Sequence, residues 1–195
     1  MESGQLKPEL RVAKLEMPAE HHCVAIRKVI RTINRMQSDG VIEHYAIGGA
    51  VGATFYLEPV ATLDVDVFVE LHTEPGSKIV TLDHILNYLR DRGCTMEAGH
   101  VVIAEWPVQF LPVGTSLLQE ALAMAVEKDV EGTAARVFTA EHIAAIALET
   151  GRAKDKARVL QFIEAGAVDL ARLREILRRH GLSGEWEKFE RQFLK

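Results

Sequence analysis

Apolar residues recur along this chain with two periods, and the change between them divides it. From Ala19 to Gln37, Val24, Ile26, Ile30, Ile33 and Met36 recur at helical spacing among Arg27, Lys28, Arg31 and Arg35, and Ser38-Asp39-Gly40 supplies a stop. His21 and His22 fall in the first turn, where adjacent residues face apart, so they are not a metal pair. The period then shortens. Val41–Ile47 reads as a strand, Gly48-Gly49 as a turn, Val51–Leu57 as a short helix stopped by Glu58-Pro59, and Leu63–Leu71 as a second strand. Ile79, Leu82, Ile85, Leu86 and Leu89 mark an amphipathic helix ending near Gly93. Cys94–Val113 is β-rich, with a bulge or break predicted at Pro107. Ser116–Glu127 reads as a helix and Val130–Phe138 as an edge strand. Thr139 opens a helix closed by Gly151, and three short helices follow over Asp155–Ala165, Asp169–His180 and Ser183–Leu194.

This order predicts an α/β (α+β) protein: a leader and helix over 1–40, a small mixed-sheet α/β domain over 41–138, and a helical domain over 139–195. No linker composition separates the parts, so they are expected to pack. With 48% apolar residues the 195-residue chain has enough for a real core. Cys23 and Cys94 form neither a disulfide framework nor a zinc motif. The leader has no apolar h-region and no run approaches a membrane span, so a reducing, cytoplasmic protein without membrane contact is expected. The net charge of −5 is uneven. Eleven basic and seven acidic residues from Thr150 onward leave that part at +4 and the rest at −9, so an anionic substrate is expected to meet the C-terminal third.

Asp64 and Asp66 change the picture most. Two carboxylates inside an otherwise apolar strand are costly unless paired or bound to a cation. At i and i+2 they share a face, about 6.5 Å apart at Cα, a spacing that lets them hold one Mg²⁺ or bridge two. The glycine turn upstream is where backbone contacts to a triphosphate would arise. Gly48-Gly49-Ala50-Val51-Gly52 lacks the dinucleotide-binding spacing, and no P-loop sequence occurs.

The Gly-Gly turn, short helix and Asp-x-Asp strand resemble the nucleotidyltransferase superfamily of polymerase-β-like fold: Ile47-Gly48-Gly49, a gap of fourteen, then Asp64-Val65-Asp66-Val67, with Thr62 matching a recurrent Thr of bacterial members. Glu141–Asp155, with its Arg152-x-Lys154-Asp155 segment, and Ala167-Val168-Asp169-Leu170 are similar to the helical region of a bacterial group that includes the nucleotidyltransferase toxins of abortive-infection toxin–antitoxin systems. The resemblance implies an NTP substrate and an antitoxin-like partner. It also implies Mg²⁺ on Asp64 and Asp66, with Gly48, Gly49, Thr62, Arg152 and Lys154 toward the triphosphate. The reaction implied is transfer of a nucleoside monophosphate to a hydroxyl of RNA, protein or a small molecule.

Relatives carry a third carboxylate on a later strand, where this chain has Gln109, which bears no charge and takes no proton. Glu105, two residues before Pro107 and of the same strand parity as Gln109, is the predicted catalytic substitute, and Glu97 the other candidate. A second departure is Val60, where many relatives are basic. Three readings stay open: an active enzyme, a catalytically impaired nucleotide-binding or regulatory protein, and an unrelated α/β protein whose aspartates are structural. His44, His72, His84, His100, His142 and His180 carry no motif.

Overall fold

A computed structural model of the chain describes residues 19–58, 64–71, 82–97 and 99–194. Thr62, the Val60 position, His72, the start of the second strand at Leu63, and Ile79 at the start of the amphipathic helix lie outside these residues.

Among the described residues the chain forms a seven-stranded mixed sheet and eight helices: α1 (Ala19–Ser38), β1 (His44–Ile47), α2 (Gly49–Ala53), β2 (Val65–Glu70), α3 (Asp83–Arg90), β3 (Thr95–Glu97), β4 (His100–Ile103), β5 (Trp106–Pro112), α4 (Ser116–Ala123), β6 (Val126–Val130), β7 (Thr133–Val137), α5 (Ala140–Thr150), α6 (Ala153–Glu164), α7 (Leu170–Arg179) and α8 (Ser183–Phe193). The strand order is β3-β4-β5-β2-β1-β7-β6. The sheet is antiparallel except where β2 runs parallel to β5 and β1 to β7. The expected mixed-sheet α/β class is therefore the observed one.

The central strands divide their side chains between two cores. On one face, Tyr45, Ile47, Val65, Val67, Val69, Val108 and Phe110 pack against α1, through Val29, Ile30 and Ile33, and against α3, through Ile85 and Leu89. On the other face, Ala46, Phe68 and Phe138 meet α4 and the C-terminal helices, through Leu117, Ile143, Phe162, Leu173 and Trp186. Trp106 and Trp186 are both buried, in keeping with the packing role expected of aromatic side chains.

The C-terminal helices have readable ends. The Thr139 hydroxyl caps α5 by accepting the His142 N–H at 3.4 Å, and Gly151, at φ +71°, closes it in the left-handed conformation. Asp169 caps α7, its Oδ1 accepting from the N–H groups of Ala171 (2.8 Å) and Arg172 (3.1 Å). Glu141 does not complete a capping box. Its buried carboxylate accepts the Asp169 N–H at 3.1 Å and joins the start of α7 to α5.

Three expectations are corrected. The helix expected over Ser116–Glu127 ends at Ala123, and the chain re-enters the sheet at Val126. The apolar spacing misled because buried Ala125 continues the helical period into the loop. The expected edge strand, Val130–Phe138, is two elements. A tight Glu131-Gly132 turn joins β6, the true edge, to β7, which lies inside the sheet beside β1. Pro107 causes no break. It stands opposite Val102 within β5 and precedes the first residue paired with β2, Val108, so its missing N–H interrupts no bond to that strand.

Candidate functional site

The β1–α2 turn and the start of β2 are fitted to each other. The Gly48 N–H donates to the Asp66 carbonyl oxygen at 3.0 Å. A Cβ on Gly48 would lie 2.6 Å from Cε2 of Phe68, which packs against Phe138 with ring centroids 4.8 Å apart. Gly49 has φ +58°, and a Cβ there would collide with Oδ2 of Asp66. Both glycines are thus required by their own sheet neighbours. The turn also delivers the backbone to the edge of the Asp66 carboxylate.

Strand alternation sends Val65, Val67 and Val69 into the α1–α3 core and leaves Asp64, Asp66 and Phe68 on the opposite face. Phe68 is covered by the C-terminal helices, while Asp64 and Asp66 are half-buried beyond it. Burial, and then the neighbouring Asp64 charge, push the Asp66 carboxyl above the usual carboxylate range. Three cations pull the other way: Arg158, Lys154 and Arg152, all at or near the start of α6.

Buried Asp155 holds two of these cations. It accepts from Arg152 Nε at 2.5 Å and from Arg152 Nη2 at 3.3 Å, and Arg158 Nη1 lies 3.8 Å from its Oδ1. That hydrogen bonding also raises the Arg152 pKa. Lys154 is exposed on the same first turn. The Arg152-x-Lys154-Asp155 segment therefore combines one buried acid with two cations whose charges act on Asp66. Arg158, one turn further on, is a third.

Sheet register shows what surrounds the aspartates. Asp66 is the direct partner of Gln109 across the parallel β2–β5 pair, so the amide occupies the expected place of a third carboxylate. Glu105 does not stand in for it. Ala104 and Glu105 form the two-residue β4–β5 turn, at φ +49° and +70°, and Glu105 is exposed rather than continuing the strand. Strand parity does not carry through a turn, and Ala-Glu gives little sequence sign of one. Glu97 faces His100 on β3, three strands from Asp66, roughly 14 Å away at ordinary strand spacing. Continuing the β4–β5 pairing one step beyond Val101↔Val108 sets His100 beside Gln109. Its Nε2 lies 3.8 Å from Asp64 Oδ2. One row on this face thus reads Glu97, His100, Gln109, Asp66.

No cluster of three or more His, Cys, Asp or Glu side chains suited to a metal is preassembled among the described residues. The pair itself fits a divalent cation: hard oxygen donors, adjacent on one face, one of them reluctant to carry its charge unaided. The sequence missed His100 and Arg158. The i+3 spacing from Asp155 would have pointed to the second, while no local pattern points to the first, whose approach to Asp64 depends on sheet register.

No family model matches the chain, and no curated protein matches it. Among solved structures it is similar to an antigenic nucleotidyltransferase-like protein from Paracoccidioides brasiliensis, with a TM-score of 0.53 and 14% identity over 84% of this chain and 92% of that one. The likeness carries the fold: this is a nucleotidyltransferase-like α/β architecture. No helix among the described residues is long and apolar enough to cross a membrane.

Proposed function

We propose that the protein binds a nucleoside triphosphate with Mg²⁺ beside the Gly48-Gly49 turn and transfers its nucleoside monophosphate to a hydroxyl acceptor. The observation that carries this reading is the Asp64–Asp66 pair facing the cationic start of α6 in a nucleotidyltransferase-like fold. Asp64 and Asp66 hold the cation, which supplies charge neutralisation as the bond from Pα to pyrophosphate breaks and the acceptor oxygen bonds to Pα. Arg152 and Lys154 clamp the phosphates, and Asp155 fixes Arg152 for that task. Thr62 completes the triphosphate contacts in this proposal. The acceptor proton passes to water, because the Gln109 amide cannot take it.

One observation favours a second reading, binding without transfer: Gln109 stands where a second cation would need a carboxylate. The two part experimentally. Titration calorimetry of ATP, GTP, CTP and UTP with Mg²⁺ should give binding that Asp66→Asn abolishes, and no binding to the wild type sinks both. Transfer of label from α-³²P nucleotides to RNA, protein or small hydroxyl compounds, lost in Asp64→Ala, supports the enzyme. Binding with no transfer to any acceptor supports the second reading.

A further inference from the structure

Glu120, on α4, meets two histidines, and each of them reaches on to a hydroxyl. His142 Nε2 lies 3.4 Å from Glu120 Oε1, and its Nδ1 is 2.8 Å from the Thr139 hydroxyl. That chain is closed: the His142 side chain is 1% exposed, and Thr139 is already the cap of α5. The other chain ends at the surface. His180, just past the end of α7, places Nε2 2.7 Å from Glu120 Oε2 and Nδ1 3.2 Å from Ser116 Oγ. Its side chain is 10% exposed, whereas Ser116 is open to solvent.

Glu120 sets the hydrogen-bond roles in this open chain. Its carboxyl, lowered to about 2 chiefly by Arg179, is ionised at neutral pH and can only accept. His180 Nε2 therefore carries a proton, and the neutral imidazole presents its Nδ1 lone pair to the Ser116 hydroxyl. Ser116 is also the first residue of α4. Thr115 takes the N–H of Leu118 on its hydroxyl (3.2 Å) and that of Gln119 on its carbonyl (2.9 Å). The N–H groups of Ser116 and Leu117 have no acceptor among the described residues, so they are available to an oxyanion formed beside Ser116. Gln119, one turn along the same side of the helix, lines a cavity of about 490 Å³ with Val113, Leu122 and Ala123. That leaves room for a short apolar acyl group.

We propose that Ser116, His180 and Glu120 form a second reactive site, in which Ser116 is a nucleophile toward short-chain carboxylic esters. Ser116 Oγ bonds to the ester carbonyl carbon while its proton passes to His180 Nδ1. The tetrahedral species then breaks its bond to the alcohol oxygen, which takes that proton from His180 and leaves. Water attacks the acyl-Ser116 carbon, giving a proton to the same nitrogen, and the carboxylic acid departs as Ser116 Oγ recovers it. Glu120 touches no reacting atom and is a positioning residue. The inference goes beyond the triphosphate reading and does not rest on it. Ser116 follows the end of β5 that pairs with Val69, whereas Asp66 pairs toward the other end.

The test treats the full chain with a biotinylated fluorophosphonate, which phosphonylates activated serines, and with p-nitrophenyl butyrate. Wild type should carry the phosphonyl adduct on Ser116, located by peptide mass spectrometry, and should release p-nitrophenolate through an acyl adduct on the same residue. Ser116→Ala alters only an exposed hydroxyl at a helix start, so it should stay folded and lose both signals. His180→Gln should slow labelling of Ser116 by at least roughly 100-fold, and His180→Asn, with a smaller amide, should do the same and guards against a folding defect in the first variant. Glu120→Gln should lower the maximal labelling rate at least roughly tenfold and leave the half-saturating probe concentration unchanged. Three results overturn the inference: no adduct on Ser116 in the wild type, undiminished labelling in both His180 variants, or a Glu120→Gln protein that labels at the wild-type maximal rate.

Discussion

Along β2 the odd-numbered residues and the even-numbered ones live in different worlds. Val65, Val67 and Val69 are completely buried against α1 and α3. Asp64, Asp66 and Phe68 face the C-terminal helices, where apolar cover reaches only Phe68 and stops short of the carboxylates. Each buried valine contributes about 1.5–3 kcal/mol. The half-buried acid pair works against folding, as the raised Asp66 carboxyl shows. One strand therefore carries stability on one face and chemistry on the other, and the first offsets the second. The same division holds in β5, where Val108 and Phe110 face the dry core and Gln109 faces the open side.

The sharpest way to break this comparison is to exchange the two kinds of residue. Val67→Asp places an unpaired charge in the dry core and should cost more than about 4 kcal/mol, leaving no cooperative urea transition. A folded variant would mean that the dry face tolerates charge as the open one does. Next comes Asp155→Ala, which strips the buried acid from Arg152 and Arg158. It should lower stability by about 2–3 kcal/mol in chemical denaturation, less than a fully buried pair because Arg152 is largely exposed. It should also weaken triphosphate binding.

A smaller effect lies in the helical cover of the open face. Glu120 on α4 accepts from Arg179, His180 and His142, and these bonds, that of Arg179 foremost, lower its carboxyl to about 2. A depressed carboxylate stabilises above its unfolded value near 4.5, and that contribution is lost as pH falls toward 2. Glu120→Gln should flatten the stability profile between about pH 5 and 2, and cost only about 1 kcal/mol at pH 7 because solvent screens the cluster.

The smallest change runs in the opposite direction. Asp66→Asn should raise Tm at pH 7 by about 2–4 °C, from about 1 kcal/mol of relieved charge burial. Because the Asp66 carboxyl is raised, its penalty appears only as pH rises through the folded value, so the gain should vanish below about pH 4. A net loss of stability in this variant would show that the open face supports the fold just as the dry one does.

Much of this division was legible in the sequence. Period-two alternation through Val65-Asp66-Val67 puts the acids on one side of a buried strand, and Gly48-Gly49 marks the turn beside them. The cationic segment at Arg152 and Lys154 was legible only through family resemblance, since nothing in local spacing ties residue 152 to residue 66. His100 was not legible, because its approach to Asp64 depends on register across β4, β5 and β2. Glu105 was misread because alternation has no mark for a turn made by Ala and Glu. The β6–β7 hairpin was hidden by a helical apolar period that outlasts the helix.

Ala104 and Glu105 never touch the aspartates, yet they index the face that meets them. Both hold left-handed backbone that suits asparagine or glycine better, and so keep β4 and β5 joined by two residues. A one-residue slip of β4 would withdraw His100 from the row and put Val101 in its place, turning a dry-core side chain toward the acids. Insertions and deletions at this hairpin would then change which side chains stand beside Gln109 and Asp66 without altering a single residue of the row. Hairpin length, as much as residue identity, sets which side chains face Asp64 and Asp66.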